Sequence, residues 1–274
     1  MALTGVSRTA LGVAYMRAKE SQRPDRLFDD PCAADFLAAA PPPFPAERGK
    51  AAHRLAAMGA IFEFHVVMRT RFYDDYLLSA AAAGCRQVVA LAAGLDARAY
   101  RLPWPAGVRL FELDLPDVLA FKNQVLSDRD AVATCERIAL AVDLRDEWTD
   151  QLIHSGFSPD RPTAWLAEGL LVYLSAAEAA DLLSNVGSRS APGSRISFEN
   201  SVLPGSSLLD QTRDMPSMRE FTGLFKGGLG EDAAAWLASR GWQTSDHSLE
   251  TLAATYGRDM PEDVGGGFIT AIKQ

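Results

Sequence analysis

A chain of 274 residues, 48% hydrophobic and 23% charged, has the composition of a folded globular protein rather than a disordered or fibrous one. Its 35 acidic and 27 basic residues leave a net charge of −8, which argues against a nucleic-acid backbone as partner. No apolar run approaches the roughly 18 residues of a membrane span, and Cys32, Cys85 and Cys135 are too scattered for a disulfide framework or a zinc site. His53, His65, His154 and His247 form no HxxxH or HExxH pair, so no metal is expected. The first 21 residues lack the basic start, apolar core and cleavage site of a secretion signal, which predicts a reducing cytoplasm.

In chain order, residues 1–80 read as a helical, Ala-rich cap. Residues 7–20 form one predicted helix, and a second begins at Pro31 and stops before Pro41-Pro42-Pro43. Residues 50–80 carry apolar side chains at helical spacing, from Leu55 through Phe62 and Phe72 to Tyr76. The period then changes. Strands are predicted at QVVALAAG (87–94), VRLFELD (108–114), RIALAVDL (137–144), the first half of TAWLAEGLLVYL (163–174), SRISFEN (194–200), WQTSDHS (242–248) and GFITAIK (267–273). Helices fall between most of them. Residues 176–190 start with a capping box, Ser175 and Glu178, and 231–241 close on Gly241. The stretch 201–229, broken by Gly, Ser and Pro, reads as a lid-like insertion in a domain spanning 81–274.

Continuous apolar strands alternating with helices predict an α/β fold, a mainly parallel seven-stranded sheet covered on both faces. Ligands of such sheets sit beyond the carboxyl ends of the strands. Four successive strands end there in an acid: Asp96, Glu112 with Asp114, Asp143 and Glu168. With no basic partner evident among them, the crevice calls for a cationic ligand rich in donors. S-adenosylmethionine meets that demand with a ribose diol, an ammonium, a sulfonium and an adenine amine. Asp114 follows Gly94 by 20 positions, the spacing expected of an acid that grips a ribose. Glu112 lies on the same strand face, either sharing that role or paired with an arginine. Asp143 doubles as a candidate N-cap for the residues after it. The dinucleotide pattern G-x-G-x-x-G fails, since its positions read Ala92, Gly94 and Ala97.

Several ordered blocks carry a resemblance. VVALAAGLDARAYRL, FELDLPDVLAFKNQVL, AVDLRDEW and TAWLAEGLLVYLS, preceded by RAKESQRPDRLFDDPCA and MRTRFYDD, resemble the leucine carboxyl methyltransferase-like family. Within it the chain looks most like bacterial enzymes that methylate carboxyl or phenol groups of polyketides. One departure is Ala92, where the family pattern has glycine. The resemblance implies a Rossmann-like class I methyltransferase that uses S-adenosylmethionine. It implies that Arg69 meets the methionine carboxylate, Gly94 lets the backbone pass the methionyl part, and Asp114 holds the ribose diol. Asp143 and Leu144 would flank adenine, Glu168 would sit near the amino-acid end, and Asp96 and Arg98 would shape the first turn.

Tyr173, just past the fourth strand, is either packing or a residue that touches the acceptor. The expected acceptor is a small apolar aromatic or polyketide-type acid, lined by Phe64, Met68, Phe72, Phe221, Leu224 and Phe225. An ionised carboxylate needs no general base, whereas a phenol with a pKa of about 10 does. The sequence names no base, which favours a carboxyl acceptor. Two alternatives stand. A nicotinamide-dependent oxidoreductase needs the same acid after strand two, and a non-catalytic cofactor-binding protein would keep Asp114 and Asp143. The sequence gives no oligomeric state.

Overall fold

The computed structural model describes residues 7–41, 50–200, 224–230, 233–262 and 264–274, with side chains from residue 9 and, in the long third helix, from Met58 onward. Seven strands form: β1 (Gln87–Leu91), β2 (Arg109–Asp114), β3 (Glu136–Ala141), β4 (Thr163–Ala167), β5 (Arg195–Asn200), β6 (Trp242–Ser248) and β7 (Gly267–Lys273). They make one sheet in the order β3-β2-β1-β4-β5-β7-β6. Strands β1 to β5 pair in parallel, and β7 runs antiparallel between β5 and β6. The chain moves outward from β1 to β3, then crosses back to β4. The switch point, and the crevice it opens, lies between β1 and β4.

All seven predicted strands are present, and two end early. β1 stops at Leu91 because Ala92 turns into the left-handed region at φ 51°. β3 stops at Ala141, where the chain enters a turn.

The helices are α1 (Ser7–Ser21), α2 (Pro31–Ala38), α3 (Lys50–Ala82), α4 (Arg98–Arg101), α5 (Pro116–Asp128), α6 (Thr149–His154), α7 (Ala176–Ser188), α8 (Ala233–Ala238) and α9 (Leu249–Tyr256). A 3-10 turn covers Leu171–Tyr173. Local chemistry explains several starts. Asp30 caps α2 by accepting the Ala33 N–H, and Pro31 opens that helix. Ser175 and Glu178 make the predicted capping box at α7. Gly241, at φ 78°, follows α8 after a short turn.

Helices cover both faces of the sheet. On one face α3 and α9 bury Phe72, Tyr73, Leu77 and Leu252 against Val88, Leu110 and Phe268. On the other, α6, α7 and α8 bury Trp148, Leu182, Leu183 and Leu237 against Trp165, Phe198 and Ile269. A third cluster joins α1, α2 and α5 to the turn after β1 through Leu11, Phe36, Leu95, Val118 and Phe121. Each fully buried Leu or Phe contributes about 1.5–3 kcal/mol, so α3 is tied to the sheet by several such side chains. Among the described residues no helix is long and apolar enough to cross a membrane.

Candidate functional site

The turn after β1 is held by the end of β2. Ala93 N–H donates to the Leu113 carbonyl at 3.0 Å. Gly94 N–H donates to Asp114 Oδ2 at 2.5 Å, and Leu115 N–H to Asp114 Oδ1 at 2.7 Å. An ionised carboxylate offers about four acceptor positions, so about two stay open on Asp114. Burial pushes this carboxyl above its ordinary value, and the two backbone donors pull the other way. Gly94 sits at φ 51°, and a Cβ on it would lie 3.4 Å from Ala10 of α1. The backbone thus passes close to a neighbouring helix in a conformation that favours glycine.

The next strand tip carries Glu168, and it is surrounded by guanidiniums. Arg17 of α1 reaches Glu168 Oε1 at 2.6 Å, and Arg69 Nε lies 3.0 Å from the same oxygen. Arg98 reaches Oε2 at 2.6 Å. Arg98 also pairs with Asp96 and, at 2.7 Å, with Asp74, which Arg101 holds in turn. The Asp96 carboxylate caps Arg98 N–H at 2.6 Å. Burial alone would raise the Glu168 carboxyl, but Arg98, Arg17 and Arg69 outweigh it and hold it well below the carboxylate range. Asp96 is lowered in the same way, Arg98 and Arg17 prevailing over burial.

This network corrects one expectation. The strand-tip acids do not lack basic partners; helices before the sheet deliver them. It also leaves Arg69 unevenly used. Its Nε is buried without a well-aligned hydrogen bond, and its Nη1 lies 3.4 Å from Glu199 at the end of β5.

The remaining predicted residues divide. Asp143 lies past β3, where Arg145 pairs with it at 2.5 Å and donates its N–H at 3.0 Å. That hydrogen-bonded partner lowers the Asp143 carboxyl. Asp143 is not an N-cap, since α6 begins only at Thr149. Leu144 packs against the second core cluster and lines a cavity of about 840 Å³ together with Trp148, Glu178 and Asp181. That cavity lies beside the crevice rather than in it, because neither Asp114 nor Glu168 lines it. Glu112 does not share the role of Asp114. It is buried, with Lys122 Nζ at 2.8 Å and Arg137 Nη2 at 2.7 Å on one oxygen.

Tyr173 stacks on Phe225 with ring centroids 5.4 Å apart, and its hydroxyl bonds to the Thr9 side chain. Burial pushes its phenol up. Met68 and Phe72 are core rather than pocket lining, Phe72 stacking on Phe268 at 4.6 Å, and Phe64 packs against the same cluster. Leu224 and Phe225 are half-buried, while Phe221 lies outside the described residues. The described residues hold no group of three or more His, Cys, Asp or Glu placed to bind a metal. Four residues of the network, Arg17, Asp74, Arg101 and Glu199, were not anticipated from sequence. The strand-tip rule reaches Glu199 once it is extended to the fifth strand; nothing in the spacing of α1 singles out Arg17.

Residues 10–187 match the model of the leucine carboxyl methyltransferase family. The chain belongs to that family. Every candidate site residue from Arg17 to Tyr173 falls within the match, and Glu199 falls beyond it. A candidate S-adenosyl-L-methionine-dependent methyltransferase of Parafrankia sp. (strain EAN1pec) is 49% identical over 97% of this chain and 87% of its own length. One of Streptomyces coelicolor is 42% identical over 99% and 96%. Among solved structures, a DUF574-family protein of Streptomyces avermitilis superposes with a TM-score of 0.61 at 13% identity, covering 97% of each chain. A candidate methyltransferase of Thermobifida fusca gives 0.52 at 17% identity over 77% of this chain and 83% of that one. At such identities these two speak to the fold alone.

Proposed function

We propose that this family member, an S-adenosylmethionine-dependent methyltransferase, transfers the methyl group to an oxygen of a small apolar acid, a carboxylate or a phenol. The observation that carries the reading is Asp114. It stands at the switch-point crevice, anchored by Gly94 and Leu115 N–H groups, with acceptor positions left for a ribose diol. The donor set suits the methionine end as well. The Arg69 guanidinium, whose Nε lies 3.0 Å from Glu168 without a well-aligned hydrogen bond, is proposed to meet the α-carboxylate, and Glu168, shared among three guanidiniums, the ammonium. Asp143 and Leu144 are the residues proposed to flank adenine.

When bound, S-adenosylmethionine supplies a sulfonium-activated methyl group for in-line displacement. The protein then has to position the acceptor and exclude water. Asp114 and Gly94 fix the sugar end, Arg69 and Glu168 the amino-acid end, and Tyr173 with Phe225 is proposed to flank the acceptor. The helical segment 1–80 is proposed as a cap over the sheet domain 81–274. The nicotinamide alternative is disfavoured by the first turn. Helix α4 has only four residues, Arg98–Arg101, and its entry carries Ala92 rather than glycine, so it makes a poor seat for a pyrophosphate.

Isothermal titration with S-adenosylhomocysteine, with NADH as control, tests the cofactor. Mass spectrometry of an aromatic acid panel tests the acceptor, each product gaining a methyl in place of a hydrogen. Binding of NADH and not S-adenosylhomocysteine overturns the reading.

A further inference from the structure

Along the sheet edge the tips run in the order Asp114, the Gly94 turn, Glu168 and then Glu199. The first three are assigned above to the methyl donor. Glu199, next outward on β5, has no part in that assignment. Both its oxygens accept the Gly169 N–H, at 2.9 and 3.0 Å. Among the described residues its one cationic neighbour is Arg69, 3.4 Å away and shared with Glu168. Among the described residues three guanidiniums converge on Glu168, but only this shared one reaches Glu199.

The side chain is mostly buried but keeps some access to solvent: 17% is exposed, against 11% for Glu168 and 1% for Arg98. Tyr73 of α3 and Tyr173 of the 3-10 turn lie within its field, and the Tyr73 hydroxyl is buried with no hydrogen-bond partner among the described residues. The groups facing it are therefore Arg69 and Tyr73 from α3, Glu168 and the Gly169 N–H from the β4 tip, and Tyr173.

We propose that Glu199 is the catalytic base of the methyl transfer and that the acceptor oxygen is accordingly the hydroxyl of an apolar phenol, not a carboxylate. The inference rests on the O-methyltransferase reading and narrows its substrate class. An acceptor carboxylate arriving here meets an anion with little compensation, which costs energy. A hydroxyl instead donates its hydrogen bond to that anion. In the step, the acceptor O–H bond breaks and its proton passes to a Glu199 oxygen. The oxygen's electron pair forms the new O–CH₃ bond, and the S–CH₃ pair stays on sulfur, leaving neutral S-adenosylhomocysteine. The Glu199 proton then returns to solvent. Burial, opposed by Arg69 and aided by Glu168, raises this carboxyl above its ordinary value. The sequence offered no base and so favoured a carboxyl acceptor; a titratable group at the fifth tip reverses that preference.

The test uses the full chain, as wild type, Glu199→Gln and Glu199→Asp, with 1-naphthol and 1-naphthoate as matched probes. Calorimetry with S-adenosylhomocysteine checks that the donor half is intact in each variant. With that product bound, fluorescence titration measures each probe's affinity. Mass spectrometry with S-adenosylmethionine then distinguishes ether from ester. The expected result is at least about tenfold tighter binding of the naphthol in the wild type, with ether as the product. Glu199→Gln erases the binding preference and slows ether formation by about 100-fold or more, the contribution of a general base, and Glu199→Asp restores part of both. Equal binding of the probes, no binding of either, or a naphthoate ester formed equally by wild type and Gln variant overturns the inference and leaves the methyltransferase reading in place. Loss of S-adenosylhomocysteine binding by the wild type overturns both.

Discussion

Gly94 N–H and Asp114 Oδ2 meet at 2.5 Å, so the residue that shapes the first turn is fixed by the residue that ends the second strand. The contact ties the β1 turn to the β2 tip, one strand from the β1–β4 gap where strand order reverses. Asp114→Ala removes both the acceptor for Gly94 and the proposed partner of the sugar. Loss of a charged hydrogen bond of this kind weakens S-adenosylhomocysteine binding by about 1–3 kcal/mol, measured by calorimetry on a variant shown to be folded. Unchanged affinity removes Asp114 from the site.

Glu168 is predicted to control acid stability. Its carboxyl is lowered in the folded chain by Arg98, Arg17 and Arg69, against the opposing effect of burial. A lowered folded value means its contribution is complete above the unfolded value of 4.5 and is lost as pH falls through the folded one. Glu168→Gln removes the charge that three guanidiniums share, leaving Arg98 with Asp96 and Asp74 and Arg69 with Glu199, and destabilises by about 3–5 kcal/mol at pH 7. Denaturant titrations between pH 7 and pH 3 should also show a flatter acid limb for the variant. An equally steep limb in both proteins rejects the assignment.

Ala92 occupies the left-handed region at φ 51°, where a Cβ costs about 1–2 kcal/mol. Glycine relieves that strain but adds freedom to the unfolded chain, an opposing effect of about 0.5–1 kcal/mol. Ala92→Gly should therefore raise the midpoint of urea unfolding by a net increment of about 0.5–1 kcal/mol. A lower midpoint means the Ala92 methyl makes contacts that offset its backbone strain.

Glu112→Gln separates structure from chemistry. The buried carboxylate is held by Lys122 and Arg137 and takes no part in the proposed donor contacts. Its loss should lower stability by about 3–5 kcal/mol while S-adenosylhomocysteine affinity at saturating folded protein stays unchanged. A parallel fall in affinity would return Glu112 to the crevice.

How legible was this molecule from its residues? The seven strands were readable because a doubly covered sheet demands uninterrupted apolar runs, and QVVAL or TAWLA can serve little else. Helix α7 was readable from its own caps. The ends of β1 and β3 were less so, because they are set by the turn at Ala92 and by the Asp143–Arg145 pairing, which an apolar run does not encode. In the candidate site, Asp114, Gly94 and Glu168 were visible as strand-tip residues. The arginines that neutralise Glu168 were not, because Arg17 comes from a helix 151 positions upstream and only packing brings it there. Met68 and Phe72 were misjudged for the same reason. Helical spacing marks an apolar stripe but not which part of it faces the sheet.

The bond between Arg17 and Glu168 gives the amino-terminal helix a hold on the centre of the sheet. A protease that clips after Ser21 would cut no strand and remove no proposed donor ligand. It would nonetheless leave the Glu168 carboxylate one cation short and pull Leu11 and Ala14 out of the third core cluster. Intactness of this arm and competence of the crevice are therefore linked, and a preparation nicked there is expected to bind its donor less tightly.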